Sequence, residues 1–377
     1  MNFLKRERGT LEAVLPSLDA RLAEFSLADM EKPGNPTIGI FRDIGGPGLL
    51  VPTEYGGAGL TPLQAMRVQF AIASRAPSLA IATTMHHFSV ATIVEMVAMK
   101  LGSGFEWMLL EAIAKQKLLV ASGFAEGRSG ASIMASFVQV EKTEDGFVLN
   151  GSKKPCSLAH SMDLLTASMI VQGPKGNTEL AVAIIPSQTP GIVRRPFWTN
   201  PILAGAESDE VHLENVEIEE QLVSYLGSPG ELDALQSRGF LWFELLISAS
   251  YLGMVAGLVE RVLTRGKGSA AERSELGIEV TGALCALEGI AHAMTNQDPE
   301  EGRDELGRAL CVRYAVQRAI QSASALATEV LGGMSYIGSP DPAYLYAAAR
   351  CLVFHPPGRF SAYPALSKYL EGENLVI

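Results

Sequence analysis

The chain has 377 residues, of which 47% are hydrophobic and 19% charged, a composition typical of a well-buried globular protein. Its net charge of −11, with no basic cluster to offset it, argues against nucleic acid or an anionic membrane as a partner. We expect no secretion signal, and no apolar run approaches the roughly 18 residues of a membrane span. Four scattered cysteines without metal-ligand spacing predict reduced thiols in a cytoplasmic protein and no metal site.

Three blocks of contrasting pattern follow one another along the chain. Residues 1–120 carry apolar side chains at helical spacing, as in TPLQAMRVQFAIASRA, and predict a helical domain. Residues 121–225 contain short β-type runs between turn residues and predict an antiparallel, barrel-like β domain. Residues 226–377 return to helical spacing and predict a helical bundle. We therefore expect an α+β protein of three domains without the βαβ alternation of a parallel nucleotide-binding sheet.

The segment NGSKKPCS, residues 150–157, interrupts the pattern of the β domain. Asn150–Gly151 is a typical hairpin-turn pair, and it follows the apolar run Phe147–Leu149. Pro155 then stands where a strand interior would not hold a proline, because proline donates no hydrogen bond to a neighbouring strand. The sequence predicts an edge, a bulge or a bend at which the backbone meets something else.

Three glycine-rich segments punctuate the chain, and neither of the two common phosphate-loop motifs is among them. The segment GLLVPTEYGGAGL favours a structural loop. The segment GFAEGRSGAS exposes backbone N–H groups, which suit an anion or the polar edge of a flat ring, or it is an ordinary loop. The segment EVLGGMSYI ends a long helix at two glycines, as a helix C-cap does.

Taken in order, GLLVPTEYGGAGL, GFAEGRSGAS, DGFVLNGSKKPCS and EVLGGMSYI resemble the acyl-CoA dehydrogenase family of flavoproteins. The resemblance covers nearly the whole chain and implies that family's fold, with a C-terminal four-helix bundle and FAD held between the bundle and the β domain. It also implies α,β-dehydrogenation of an acyl thioester, in which a carboxylate takes the α proton and flavin N5 takes the β hydride. The implied substrate is an acyl-CoA or an acyl carrier protein of secondary metabolism, and the implied electron acceptor is an electron-transfer flavoprotein or oxygen.

The resemblance also implies flavin contacts within the β domain. Backbone groups of Phe124 and Ala125 would contact the flavin ring. In the loop that follows, the implied contacts are Gly130 and Ser132, although the family's pyrophosphate-binding serine is displaced by one position. After the Asn-Gly pair the family has an aromatic residue and a threonine. Here Pro155 and Ser157 stand instead, so the aromatic shield is lost and a hydroxyl near flavin N5 is kept.

Further flavin contacts are implied in the C-terminal bundle. Arg273 of ERSELG resembles an arginine that binds FAD phosphate across a subunit interface, and its guanidinium suits a diphosphate. A site of that kind implies a homodimer or homotetramer. Otherwise Arg273 is a charge on a helix surface. Glu329 replaces a glutamine that meets the adenosine half of FAD, whereas Gly332 and Gly333 keep the family pattern.

The catalytic base implied by the family has no obvious counterpart in this chain. Most members take it from a C-terminal Tyr-Glu-Gly-Thr segment, but here Arg359 falls near that position, and arginine is not a base at neutral pH. Some branches carry the base on the first long helix after the β domain, where Glu244 is the only acid among apolar neighbours that would raise its pKa. We expect Glu244 to be the base, with His355 as the runner-up. His86 and His87 are expected to pack in the interior or to line the pocket.

Two other functions remain open at this point. The same fold hosts flavin-dependent monooxygenases and N-hydroxylases, which bind reduced flavin loosely and need no carboxylate base. The missing C-terminal glutamate and the missing aromatic shield fit that alternative. A non-redox protein that lacks flavin is the third possibility, because the first flavin loop is altered.

Overall fold

A computed structural model describes residues 1–101, 104–128, 135–173, 176–228, 234–296 and 302–375. Two of the predicted flavin contacts, Gly130 and Ser132, lie outside the described residues.

The chain begins with a helical region that packs into one continuous core. Its helices are α1 (Lys5–Val14), α2 (Leu18–Leu22), α3 (Leu27–Met30), α4 (Thr37–Asp43), α5 (Pro62–Ala73), α6 (Pro77–Ala98) and α7 (Glu106–Gln116). Helix α5 begins with a capping box, in which the Thr61 hydroxyl accepts from the backbone N–H of Gln64 and the Gln64 side chain accepts from that of Thr61. Pro62 and Pro77 open α5 and α6, where the missing N–H of proline costs no helical hydrogen bond.

Two four-stranded sheets follow, and they confirm the predicted central β domain. The strands are β1 (Val120–Gly123), β2 (Gln139–Lys142), β3 (Gly146–Cys156), β4 (Leu164–Gln172), β5 (Thr178–Pro186), β6 (Ile192–Arg195), β7 (Asp209–Glu219) and β8 (Val223–Tyr225). One sheet has the order β1-β4-β5-β8 and the other β2-β3-β7-β6. The pairing is antiparallel in the described strands except between β1 and β4, which run parallel.

The hairpin turn predicted at Asn150–Gly151 is wrong, because β3 runs straight through this pair. The register of β3 against β7 shifts between Leu149 and Gly151, which makes the pair an irregularity of the bulge type. Glycine is favoured there, because a β-carbon on Gly151 would lie 3.1 Å from the Cα of Val138, which is a tight contact. The chain reversal that the sequence placed at the Asn-Gly pair occurs instead between β2 and β3, at residues 143–145.

The predicted irregularity at Pro155 is confirmed. A second shift in the pairing of β3 with β7 falls between Lys153 and Cys156. There the Lys154 N–H donates to the carbonyl oxygen of Ala125, at 2.8 Å. Proline is tolerated at this point because the strand has left its regular ladder.

The C-terminal region is a bundle built around one buried helix. Its helices are α8 (Ala234–Thr264), α9 (Ala270–Asn296), α10 (Gly302–Leu331), α11 (Gly333–Gly338), α12 (Asp341–Ala349) and α13 (Arg359–Leu370). Helix α8 packs against α9, α10 and α12 and also against α5 and α6, so both helical regions share its surface. One hydrophobic core includes residues from all three predicted domains. The three-domain division stays an interpretation of the sequence.

Among the residues that the structure describes, two helices have the length and hydropathy of a membrane span, α8 and α9. The most apolar stretch of α8 is completely buried inside the protein, as expected for the central helix of a bundle, whereas 33% of the corresponding stretch of α9 is buried. Length and composition alone are weak evidence for a membrane span, because the core helix of a bundle has the same properties.

Candidate functional site

The two β-domain segments that the sequence assigned to flavin are adjacent in the structure. The chain leaves β1 at Gly123 and continues through Phe124 and Ala125 beside the bend in β3, where Lys154 donates to Ala125. A short parallel bridge between Glu126 and Lys154 extends this contact. The bend in β3 therefore meets the end of β1.

A buried ion pair that the sequence did not single out lies beneath this junction. Lys153 Nζ, which is fully buried, donates to Glu126 Oε1 at 2.6 Å, to Ser168 O at 2.6 Å and to Ser168 Oγ at 3.0 Å. Glu126 also accepts from Ser136 Oγ at 2.7 Å and from the Phe137 N–H at 2.9 Å. Burial opposes the charged carboxylate, but these partners hold the pKa of Glu126 below its usual range. The pair ties β3 to residues on both sides of the predicted flavin loop.

Ser157 lies just beyond the bend, and its side chain is buried. Its hydroxyl is 2.9 Å from the hydroxyl of Ser208. Pro155 is exposed, and Cys156 is buried in an apolar environment that raises the pKa of its thiol to about 12. The carboxylate oxygen Oε2 of Glu207, the residue before Ser208, is buried without a hydrogen-bond partner among the described residues. Hydroxyls and an orphaned acceptor beside an exposed bend suit the polar edge of a bound ring.

A small cavity of about 40 Å³ lies between α6 and the sheet that contains β1. It is lined by Phe88, Ser89, Thr92, Ile93, Met96, Glu106, Phe124, Thr166, Val182, Ile184, Ser224 and Leu226. Since one water needs roughly 10–15 Å³ by this measure, the space suits a group of only a few heavy atoms.

Three of the four hydroxyl residues that line this cavity donate to backbone oxygens. Ser89 donates to the Met85 carbonyl at 3.0 Å, Thr92 to that of Phe88 at 2.9 Å and Thr166 to that of Ala121 at 3.1 Å. The wall therefore offers mainly apolar contacts, which suit an alkyl group, although the lining also includes the carboxyl side chain of Glu106.

Aromatic rings connect this cavity to the C-terminal segment. The rings of Phe124 and Phe88 are 6.1 Å apart, those of Phe88 and Phe243 are 5.6 Å apart, and those of Phe243 and His355 are 6.2 Å apart. Phe88 is on α6 and Phe243 on α8, so the path crosses from the β domain into the bundle. The end of β1 and the runner-up base His355 belong to one continuous region.

Glu244, the predicted base, is almost completely buried, but it is not free. Arg313 Nη1 lies 2.8 Å and 2.9 Å from its two carboxylate oxygens. Burial raises the pKa of Glu244 to about 7, and the guanidinium opposes that rise. The sequence therefore identified a buried carboxylate correctly, but it gave no sign of the arginine partner.

Arg313 also holds the segment that carries His355. It donates to the carbonyl oxygens of Leu352 at 3.2 Å, His355 at 2.6 Å and Pro356 at 2.8 Å. The neighbouring Tyr314 hydroxyl donates to the Pro357 carbonyl at 3.0 Å. Two adjacent residues of α10 thus bind most of the carbonyls in a short stretch of irregular chain.

The imidazole of His355 is held by α8. Its Nε2 lies 2.7 Å from the hydroxyl of Tyr251, a residue that is 1% exposed. Burial, with Arg313 nearby, lowers the pKa of His355 to about 3, so the ring is neutral. The hydroxyl of Tyr251 has no other acceptor among the described residues, which favours donation to Nε2 and a ring proton on Nδ1.

The two histidines of α6 pack inside the helical region, as expected. His86 accepts from the Val120 N–H at 3.0 Å through Nδ1 and donates to the Pro47 carbonyl at 2.9 Å through Nε2. His87 packs edge-on against Phe41 and has both ring nitrogens buried without a partner in the described residues. His86 thus fixes the start of β1, which leads into the site.

The remaining predicted flavin residues lie in the C-terminal bundle. The Arg273 guanidinium donates to carbonyls in the turn before α9, and its contact with a flavin phosphate stays a prediction. Glu329, Gly332 and Gly333 line an open pocket of about 370 Å³ at the end of α10, together with Tyr336 and other residues. Their contact with the adenosine half of FAD also stays a prediction.

A flavin suits the region described above. The backbone of Phe124–Ala125 and the Ser157 and Ser208 hydroxyls offer polar contacts next to apolar rings. No cluster of three or more His, Cys, Asp or Glu side chains in the described ranges is suited to a metal ion.

Fold and site together define a flavoenzyme of the acyl-CoA dehydrogenase fold. The chain is 43% identical over 380 residues to isobutylamine N-hydroxylase of Streptomyces viridifaciens, and the match covers 100% of both chains. It is also 31% identical over 221 residues to a dibenzothiophene monooxygenase of Rhodococcus erythropolis, a match that covers 56% of this chain and 51% of the relative. The chain belongs to the acyl-CoA dehydrogenase family of flavoenzymes, as this N-hydroxylase does. No protein-family model matches it.

Solved structures agree on the fold. One of them, KijD3 in complex with FMN and a dTDP-linked amino sugar, superposes with a TM-score of 0.83 at 19% identity, covering 100% of this chain and 95% of the other. Such low identity shows the fold alone. The chain is a flavin-dependent oxidoreductase by its family.

The predicted dehydrogenation of an acyl thioester is wrong. A relative that matches the whole chain at 43% identity is an N-hydroxylase, and the partial match is a monooxygenase. The physical reason lies in the missing base: both oxygens of Glu244 are bound by Arg313, and its proposed role as base belonged to that reaction. The acyl thioester substrates and the electron-transfer flavoprotein belonged to the same reaction.

Proposed function

We propose that the protein is a flavin-dependent N-hydroxylase that converts a small primary alkylamine into its N-alkylhydroxylamine. One observation carries the proposal, the full-length identity of 43% to isobutylamine N-hydroxylase. In the overall reaction an N–O bond forms, the O–O bond of dioxygen breaks, and the second oxygen atom leaves as water. When bound in its reduced form, the flavin supplies the two electrons for this reaction.

The cavity beside Phe124 supports a small alkyl substituent. Its volume of about 40 Å³ and its aliphatic and aromatic lining suit a short branched chain. Because hydroxylation uses the nitrogen lone pair, the amine must react in its neutral form. The alkyl group would occupy the cavity and the nitrogen would lie toward Phe124 and the bend in β3.

His355 is the residue that we propose for hydrogen bonding at the reacting atoms. Its neutral ring carries a proton on Nδ1, and no residue that the structure describes bonds to that nitrogen. An N–H donor held in one tautomer suits an oxygen atom in the site. Glu244 has no such role, because its carboxylate is engaged by Arg313.

We propose FAD as the flavin and a homodimer or homotetramer as the assembly. The open pocket at Gly332 and Gly333 has the space for a part of the cofactor beyond the flavin ring, and Arg273 offers a guanidinium for phosphate. Ser157 and the backbone of Phe124 and Ala125 would hold the ring. A cytoplasmic location also stays a prediction.

The test is product formation by the purified protein. The protein would be mixed with isobutylamine, air-saturated buffer and chemically reduced FAD or FMN, and the hydroxylamine would be measured by mass spectrometry. We expect amine-dependent hydroxylamine with incorporation of one atom from labelled dioxygen, and more product with FAD than with FMN. Absence of labelled hydroxylamine from a panel of small alkylamines would contradict the proposal, and oxidation of an added thiophene instead would point to sulfur oxygenation.

A further inference from the structure

The Glu244–Arg313 pair and the candidate site are connected through three carbonyl groups. Arg313 is 1% exposed, and it binds the carboxylate of α8 and, on the other side, the carbonyls of Leu352, His355 and Pro356. A buried guanidinium with so many acceptors is fixed in position, since every movement would break charge-assisted hydrogen bonds. A short 3₁₀ helix, Arg350–Phe354, ends just before His355, whose N–H donates to the Leu352 carbonyl at 3.2 Å, and no helix follows until α13 begins at Arg359.

We propose that Glu244 and Arg313 are positioning residues, which set the place of the His355 imidazole and thereby the rate of the proposed N-hydroxylation. Helix α8 contributes two contacts to this arrangement, Glu244 through Arg313 and Tyr251 directly to Nε2. The backbone and the ring of His355 are thus both fixed relative to one helix. The inference rests on the proposed function for its kinetic consequence, but not for the geometry.

The same geometry gives a reason for a charged pair at a buried place, where the removal of charges from water costs free energy. A buried ion pair is often no more stabilising than apolar side chains of the same size, so stability alone is a weak reason for it. Apolar side chains at 244 and 313 would leave the carbonyls of His355 and Pro356 without a donor among the described residues, and that of Leu352 with the His355 N–H alone. A guanidinium satisfies all three, and Glu244 balances its charge.

The chain offers a matched control for the cost of a buried ion pair. Arg238 on α8 donates to Glu95 on α6 at 3.0 Å, and the two residues are 6% and 8% exposed. Neither residue contacts the His355 segment through any hydrogen bond among the described residues. Replacing Glu95 with glutamine therefore measures the loss of a similar buried carboxylate from another ion pair of α8.

The test compares Glu244→Gln, Arg313→Met and Glu95→Gln in the full-length protein with bound flavin. We expect Glu244→Gln and Arg313→Met to lower kcat by about tenfold or more with little change in the amine KM, because a displaced donor affects the reacting atoms rather than binding. Arg313→Lys should recover only part of the loss, since lysine has no planar fork. Glu95→Gln should keep kcat within about twofold.

A double-mutant cycle separates positioning from general stability. If Glu244 acts through His355, adding Glu244→Gln to His355→Gln should lower kcat no further. Effects that multiply in the double variant, or equal losses in Glu244→Gln and Glu95→Gln, would overturn the inference while leaving the N-hydroxylase activity of the wild type intact.

A spectroscopic measurement tests the geometry without any assay of activity. With ¹⁵N-labelled histidine, NMR should show a neutral His355 ring protonated at Nδ1, assigned by its loss in His355→Gln. We expect Arg313→Met to abolish that single signal pattern and Glu95→Gln to preserve it. An unchanged His355 signal in Arg313→Met would contradict the positioning role, and an inactive wild type with the expected NMR pattern would refute only the proposed function.

Discussion

Arg313 Nη1 lies 2.8 Å from one carboxylate oxygen of Glu244 and 2.9 Å from the other, in a part of the bundle where both side chains are 1% exposed. A carboxylate held in this way is a poor acceptor for a substrate proton. The same guanidinium fixes the chain next to His355. Two residues that appeared as rival bases in the sequence are therefore parts of one hydrogen-bonded arrangement.

The engaged carboxylate predicts that acyl thioesters do not reduce the flavin. The purified protein with bound oxidised flavin would be mixed anaerobically with a panel of acyl-CoA and acyl carrier protein thioesters. We expect the visible flavin spectrum to stay unchanged, because Arg313 engages Glu244, the carboxylate that was predicted to take the α proton. Dithionite should bleach the same sample, which serves as the control. Bleaching of the flavin by a thioester would contradict this prediction and support acyl-thioester dehydrogenation.

The lining of the cavity predicts which amines the protein accepts as substrates. Met96 is one of the lining residues, and Met96→Ala would enlarge the cavity. We expect this variant to raise the ratio of kcat/KM for hexylamine to kcat/KM for isobutylamine by about tenfold or more. The reason is that each added methylene gains roughly 1 kcal/mol of binding free energy in a pocket that admits it. The matched control is Met66→Ala, which truncates a buried methionine of α5 that is not part of this lining. Equal ratios in the two variants would place the alkyl group elsewhere.

The buried hydroxyl after the bend predicts an effect on flavin affinity. Ser157→Ala should raise the dissociation constant of the flavin about fivefold, the equivalent of one hydrogen bond worth about 1 kcal/mol. Titration of the protein into flavin, followed by fluorescence, measures the constant. Ser237→Ala removes a buried hydroxyl of α8 that has no partner among the described residues, and it should leave the affinity unchanged. Unchanged affinity in Ser157→Ala would remove Ser157 from the flavin site.

The unpartnered ring of His87 predicts a stabilising substitution that also reduces sensitivity to acid. Burial holds the pKa of His87 well below its usual value and that of His86 at about 4, so these rings stay neutral in the folded protein. The unfolded chain binds protons at these positions below about pH 6.5, and stability present above that pH is lost as the pH falls.

We expect His87→Phe to raise the free energy of unfolding by about 1–3 kcal/mol at neutral pH, since it removes two unsatisfied polar atoms. The gain should grow between pH 6.5 and pH 4. Urea denaturation at several pH values measures both effects. His86→Phe is the contrasting variant, because it breaks bonds to Val120 and Pro47 and should destabilise the protein. A destabilised His87→Phe would indicate that the ring has a role that these contacts do not reveal.

Local sequence patterns were reliable where one residue type is required by one local geometry. The order of glycine-rich segments led to the family and hence to the two helical regions around a β domain. Pro155 correctly predicted an irregularity, because proline cannot continue a ladder whatever its neighbours are. The hairpin turn predicted at Asn150–Gly151 was wrong, because this pair of residues occurs both in hairpin turns and in bulges. Pairing with β7, more than fifty residues away, selected the bulge.

The site was only partly predictable for the same reason. The apolar neighbours of Glu244 correctly predicted a buried carboxylate of raised pKa. Its partner is 69 residues away on another helix, and no spacing in the sequence connects the two. The buried Lys153–Glu126 pair was missed, although a lysine at an inward position of a strand is a signal for such a pair.

The sequence by itself determined the fold class and the family, because those depend on backbone requirements that glycine, proline and helical periodicity encode locally; its flavin contacts stay predictions. Only the tertiary structure decided which charged groups are free to react. Whether a carboxylate is a base or half of an ion pair depends on the few ångströms between Glu244 and Arg313, and packing of α8 against α10 sets that distance.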